Sequence, residues 1–285
     1  MKEYNDKLQS LKNTSKMTKT MKMVSASKLR RAQESQKRAV DYDRRLKELV
    51  GRLAASVDAS THPLLQKRAE QKNVLLLVYT SDRGLCGGFN NNLIRMVTNW
   101  VGENRNLYDT ITLSFLGKRG YGHFRNRETV GTHYEGVTAS PAMHEAVDIG
   151  EALAREFLEG TYDAIYLAHN IFNSPLSQTP HMHPLLPFTS TAFLEGGDPI
   201  PHDYIFEPTQ QELLNRLLPR ILYFEIYFAL LENAAGEHGA RMTAMDSATS
   251  NAMDMIDRYT LLRNRARQAA ITTELIEIVA GAEAL

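Results

Sequence analysis

The sequence predicts an α/β protein: a small α/β domain inserted between two long terminal helices that form an antiparallel coiled coil. Three observations carry this prediction. The two terminal segments repeat apolar residues at 4/3 spacing, the middle alternates apolar runs with amphipathic stretches, and turn-rich sequence leads from the middle into the last segment.

From Lys2 to Val57 there is no proline and one glycine, Gly51, so the spacing predicts one helix of 56 residues. At 1.5 Å per residue it would run roughly 84 Å. The heptad register Tyr4, Leu8, Leu11, then Leu29, Ala32, Ala39 and finally Leu46, Val50, Leu53, Val57 is apolar at both ends. Through the middle the same register passes Ser15, Thr18, Lys22 and Ser25, while the apolar side moves to Met17, Met21 and Val24. That shift predicts a different neighbour there.

At the other end a 4/3 pattern begins at Leu213, Leu217, Arg220 and Phe224 and continues through Met245, Ala252, Met255 and Tyr259 to Ala280. Most of these positions are apolar, and frequent alanine lets a partner helix approach closely. Pro219 is expected to kink the first turns, and Gly236 and Gly239 to soften the middle. Pairing of the two helices with each other is the simplest arrangement, and pairing between two copies of the chain is the alternative.

Between them, NVLLLVYT, TITLSFL and YDAIYLAHN read as buried strands. The stretches NNNLIRMVTNWV and PAMHEAVDIGEALAREFLEG read as helices, with a short one following GKRGYG. This is the alternation of a Rossmann-like domain with a mainly parallel sheet. The expected organisation is an N-terminal coiled-coil helix over 1–58, the α/β domain over 73–190, a linker over 191–208 and a C-terminal coiled-coil helix over 209–285. The proline-rich stretch from Asn173 to Pro208 reads as a strand edge followed by the linker.

Charge is unevenly placed. The formal total is zero, yet Met1 to Arg52 carries fifteen Lys or Arg against six acids, leaving the remainder as negative as this segment is positive. The densest part, SKMTKTMKMVSASKLRRAQ, holds six basic residues and no acid. A solvated helix face usually mixes its signs, so this one is predicted to lie against something. A lone cysteine, Cys86, rules out an internal disulfide framework and fits a reducing compartment. The N-terminus has no signal-peptide core, and Pro219, Arg220 and Glu225 break the most apolar run, Leu217 to Leu231. Any membrane role is therefore expected to be indirect.

Motifs for chemistry are weak. SDRGLCGGFN follows a strand and precedes a helix, where phosphate loops sit, but it lacks the Lys-Ser/Thr of a Walker loop and its glycines do not follow GxGxxG. A tight turn or contact surface fits it better. Cys86 could be activated by the helix N-terminus and Arg83, but no His or Asp is near in sequence. His181 and His183, with His169 on the preceding strand, could be imagined as metal ligands, but prolines flank the pair and no Cys or acid is local, so a solvated loop is the simpler reading. Nucleic-acid binding by the basic tract would waste Met17, Met21, Val24 and Leu29 in a groove. An anionic protein surface suits the mixture better. No catalytic residue, cofactor site or metal site emerges.

Three separated segments resemble one family. LKNTSKMTKTMKMVSASKLRRAQ, VYTSDRGLCGGFN and the segment from Phe206 to the ITTELIEIVAGA ending resemble, in order and spacing, the γ subunit of F-type ATP synthases. The resemblance implies a non-catalytic central rotor shaft that couples ion flow through a membrane ring of c subunits to ATP synthesis or hydrolysis. Its partners would be the α and β subunits of the catalytic head, the ε subunit and the c ring, with no nucleic acid, no cofactor, and membrane contact only through the complex. It implies contacts to the catalytic subunits by Met17, Met21, Lys22, Met23, Lys28, Arg30, Arg31, Arg267, Gln268, Thr273 and Ile276. It further implies contacts to ε and the c ring by Arg83, Gly84, Tyr204 and Glu207. Ile271 to Leu285 would be the tip held in an apolar sleeve. A start at Met1 without a transit segment favours a bacterial origin, peripheral on the cytoplasmic side of the cell membrane.

Overall fold

The computed structural model describes residues 2–56, 62–68, 70–138, 141–188 and 207–283. The chain divides into two compact units, one formed by Met1–Ala26 with Arg241–Leu285 and one by Ser27–Ala240. Helices α1 (Lys2–Ser56) and α5 (Gln210–Glu283) contribute to both.

The larger unit contains a five-stranded sheet. Its strands are β1 (Asn73–Tyr79), β2 (Thr110–Leu116), β3 (Thr129–Tyr134), β4 (Ala164–Ser174) and β5 (Ser177–Leu186). They lie in the order β3-β2-β1-β4-β5, all pairs parallel except β4 with β5. The intervening helices are α2 (Phe89–Asn104), α3 (Lys118–Phe124) and α4 (Met143–Leu158). Strand β1 is central and buried on both faces, which is why it reads as a continuous apolar run.

Alternate residues of β1 serve two cores. Val74, Leu76 and Val78 pack with Leu93, Val97 and Val101 of α2 and with Phe115 and Phe124. Leu75, Leu77 and Tyr79 face the other way, toward Leu46, Val50 and Leu53 of α1, Ile149 and Leu153 of α4, and Leu222 and Ile226 of α5. Fully burying each such side chain contributes about 1.5–3 kcal/mol. The domain is thus built directly onto the part of the helix pair that lies in this unit.

The turn that closes β2 explains one glycine. Gly117 has φ +91°, and a Cβ there would fall 2.1 Å from the Thr80 carbonyl oxygen, so no other residue fits. Helix α5 starts at a reciprocal cap: the Thr209 hydroxyl accepts from the Glu212 amide, and the Glu212 carboxylate accepts from the Thr209 amide, both at 3.3 Å. The helix then continues through Pro219.

Within each unit α1 and α5 run antiparallel. In the smaller unit Tyr4 meets Tyr259, the Thr18 and Thr249 hydroxyls bond at 2.7 Å, and Lys22 pairs with Asp246 at 2.6 Å. In the larger unit Gln36 reaches Glu232, Lys47 pairs with Glu225, and the Tyr42 ring packs tilted against Phe224. The polar register through Thr18, Lys22 and Ser25 therefore remains the buried seam, rather than yielding to the methionine side.

Several expectations are corrected in detail. Arg220 and Met255 lie outside the α5 seam and are exposed; around Arg220 the reason is that from Leu214 to Ile226 the helix turns Leu214, Leu218, Ile221, Leu222 and Ile226 into the sheet-side core. Gly236 and Gly239 prove to be close-approach sites as well. A Cβ on Gly236 would lie 2.8 Å from the Phe89 ring, and one on Gly239 3.0 Å from the Pro175 backbone.

Candidate partner-binding surfaces

On α1 in the smaller unit, Met17, Met21 and Val24 follow one another at 4/3 spacing, about 100° round the helix from the Thr18–Lys22–Ser25 seam. Met17 is 61% exposed and Met23 57% exposed, while Met21 is half-buried. The spacing continues through Lys28 and Arg31, both exposed, in the larger unit. Lys22 is turned into the seam by its ion pair with Asp246, and Arg30 pairs with Glu34 on its own helix at 3.1 Å. Exposed apolar side chains beside a dense run of positive charge make a surface suited to an acidic partner with apolar elements.

The end of α5 is the second surface. Beyond Ala266 every side chain described is exposed, including Arg267, Gln268, Thr273 and Ile276. The Thr273 hydroxyl bonds back to the Ala269 carbonyl, so it faces along its own helix. Ile271, Leu275, Ile276, Ile278 and Val279 together put a run of large apolar side chains into water, with Ile276 63% exposed. An isolated helix of this composition gains little from propensity alone, and a run of exposed apolar side chains of this kind marks an interaction surface.

The third is the turn after β1. Asn90 organises it: its side-chain oxygen accepts from the Ser81 amide at 2.9 Å, and its amide group donates to the Ser81 hydroxyl at 2.7 Å. Leu85 takes a left-handed φ of 64° and projects outward. The Arg119 guanidinium lies across Gly84, where a Cβ would come within 2.5 Å of it. Arg83 is exposed beside it. The Cys86 thiol is buried, 2% exposed, against Ser81 and Asn90, neither of which is a base. Glu207 is exposed just before α5, and Tyr204 lies outside the described residues.

The described residues thus fall on α1, on the end of α5, on the turn after β1 and, for Glu207, just before α5. What the sequence alone does not reveal is that these three histidines meet acids of the last helix. The HMH stretch is no solvated loop but part of β5, paired with β4 so that His181 faces His169 in register. His169, His181 and His183 meet Glu225 and Glu232 of α5 there. The missing signal is the long-range pairing, since the acids lie far along the chain. Among the described residues no group of donors is placed to hold a metal ion. No described helix is long and apolar enough to cross a membrane.

Comparison with known proteins agrees with the resemblance. The family model described as ATP synthase matches residues 1–285. The chain is 44% identical over 285 residues to the ATP synthase gamma chain of Geobacter metallireducens, covering 100% of this chain and 98% of that one. It is 45% identical over 293 residues to the ATP synthase gamma chain of Anaeromyxobacter sp. strain K, covering 100% and 99%. Among solved structures, a chain of the Euglena gracilis mitochondrial ATP synthase OSCP/F1/c-ring superposes with TM-score 0.65 at 18% identity, covering 99% of this chain and 93% of that one. A chain of the Tetrahymena thermophila mitochondrial ATP synthase central stalk/c-ring superposes with TM-score 0.60 at 23% identity, covering 81% and 99%. The fold is shared with these structures, and with end-to-end identity above 40% to curated gamma chains, this chain belongs to the ATP synthase gamma-chain family.

Proposed function

We propose that this chain is the central rotor shaft of an F-type ATP synthase, coupling ion flow through a membrane c ring to ATP synthesis or hydrolysis at the catalytic β subunits, without catalysing a reaction itself. The observation that carries the reading is the uncovered end of α5, a helix with large apolar side chains exposed on its surface. Such an end fits an apolar sleeve formed by the α and β subunits. Arg267, Gln268, Thr273 and Ile276 would contact the catalytic subunits there. On α1, Met17, Met21, Lys22, Met23, Lys28, Arg30 and Arg31 would meet acidic loops of the β subunits, with methionine filling the gaps between charges.

Arg83 and Gly84, with Tyr204 and Glu207, would meet the ε subunit and the c ring. The protein would then sit peripherally on the cytoplasmic side of a bacterial membrane, held there by the complex. The physical principle is differential binding. An asymmetric helix pair inside a pseudo-threefold ring makes different contacts with each catalytic subunit, so each angle favours a different set of nucleotide affinities. A tenfold difference in affinity needs about 1.4 kcal/mol of such asymmetry.

The test is reconstitution with the α and β subunits of the same organism, followed by size exclusion and ATP hydrolysis. Elution of all three as one large complex with altered turnover is expected. A chain that elutes alone and leaves turnover unchanged contradicts the proposal.

A further inference from the structure

The larger unit contains a set of ionisable groups that the rotor reading does not use. His169 of β4 and His181 and His183 of β5 sit with ring centroids 5.3–6.1 Å apart. They line a cleft of about 390 Å³ between the β4–β5 edge and the two long helices. His169 is 4% exposed, and its Nε2 lies 3.0 Å from a Glu232 carboxylate oxygen. The Nδ1 atoms of His169 and His183 are buried with no hydrogen-bond partner among the described residues.

We infer that this cluster is an acid-sensitive latch: proton uptake by the imidazoles loosens the β4–β5 edge from α1 and α5. The facing charges come from both long helices. From α1 come Asp43 and Lys47, from α5 Glu225 and Glu232, and Gln36 of α1 approaches Glu232 as well. Lys47 is held between Asp43 at 3.1 Å and Glu225 at 2.5 Å, so those two carboxylates already have their cation. Glu232 can match one imidazolium, at His169. Further positive charge on the half-buried His183 and the more exposed His181 would face that first ring across the cleft, with Glu225 4.0 Å from His183 and already engaged. Protonation would also turn each orphaned Nδ1 into a buried N–H donor without an acceptor.

The titration tendencies agree with this geometry. Burial first, and then the His169 charge, lowers His181 below the ordinary imidazole value and lowers His183 to about 4. A histidine depressed on folding stabilises the fold above its unfolded value, about 6.5, and loses that contribution as pH falls toward the folded value. The sensitive window is therefore between about pH 6.5 and pH 4. This inference does not depend on the rotor proposal, since it concerns contacts within one unit of the chain.

The test is hydrogen exchange of the full chain at about pH 7.5 and about pH 5, corrected for intrinsic rates, comparing β5 peptides with α2–β2 peptides. Opening of β5 is expected to rise about 30-fold on acidification, the factor that follows from a histidine displaced from 6.5 to about 4. A His181→Gln/His183→Gln chain should show a rise of less than about 3-fold, with α2–β2 unchanged in both. If that double variant does not fold, His183→Asn alone carries the comparison. An equal rise with and without the histidines, or no rise in the unmodified chain, overturns the inference.

Discussion

Met23 and Gly236 show how differently two residues of the long helices can be used. Met23 touches little of its own chain, and changing it to lysine should leave the unfolding free energy within about 0.5 kcal/mol of the parent. In membranes bearing the complex, Met23→Lys is expected to weaken ATP-driven ion pumping, because it replaces an apolar side chain of the proposed contact by a charge that would bind the acidic loops too tightly at one angle. Unchanged pumping would remove Met23 from the proposed interface. Gly236 is the opposite case. Alanine there gains roughly 1 kcal/mol of helix propensity, but its methyl group would press on the Phe89 ring at 2.8 Å, and overpacking costs about 1–3 kcal/mol. A net loss of about 1 kcal/mol in urea unfolding is expected for Gly236→Ala. A more stable variant would mean that the ring yields freely. From the sequence alone Gly236 reads as a weakness, since the Phe89 contact that requires it spans about half of the chain.

At the scale of elements, Asp163 anchors the starts of β1 and β4. Its carboxylate accepts from the Lys72 and Asn73 amides at 2.8 Å and from Arg68 at 2.9 Å. Burial raises its proton affinity, but the two amides and Arg68 outweigh that and hold it below the ordinary carboxylate value. The sign follows directly: this stabilisation is present above about pH 4 and is lost as pH falls through the lower folded value. Asp163→Asn should therefore destabilise the chain by about 1–3 kcal/mol near neutrality, with the gap from the parent narrowing below about pH 4. A gap independent of pH would assign the effect to packing. The buried strands are legible as short continuous apolar runs and both long helices by their 3.5–3.6 period, each of which writes burial directly into the sequence. Strand β3 is not, because TVGTHY at the sheet edge is largely solvated and lacks an apolar alternation. The methionine stripe is legible as an apolar face but not as one separate from the seam. Thr18 and Ser25 look too polar to be buried until the Thr18–Thr249 hydrogen bond is seen.

For the whole molecule, labour is divided between a sheet domain fixed to the helix pair and a helix end that its own chain leaves uncovered. Removing residues 271–285 should leave unfolding of the sheet domain unchanged while weakening assembly with α and β subunits at least tenfold, a loss of about 1.4 kcal/mol or more. Equal assembly by the shortened chain would contradict the role given to that end. Rotation of this chain within the head can be watched in a single molecule. A bead attached through Leu176→Cys, at the 83% exposed tip of the β4–β5 hairpin and far more accessible than buried Cys86, reports the angle of this chain within an immobilised head of α and β subunits. ATP is expected to drive the bead in one direction with three stops per turn, as a pseudo-threefold head requires. A bead that stays fixed while the same assembly hydrolyses ATP would contradict the rotor role.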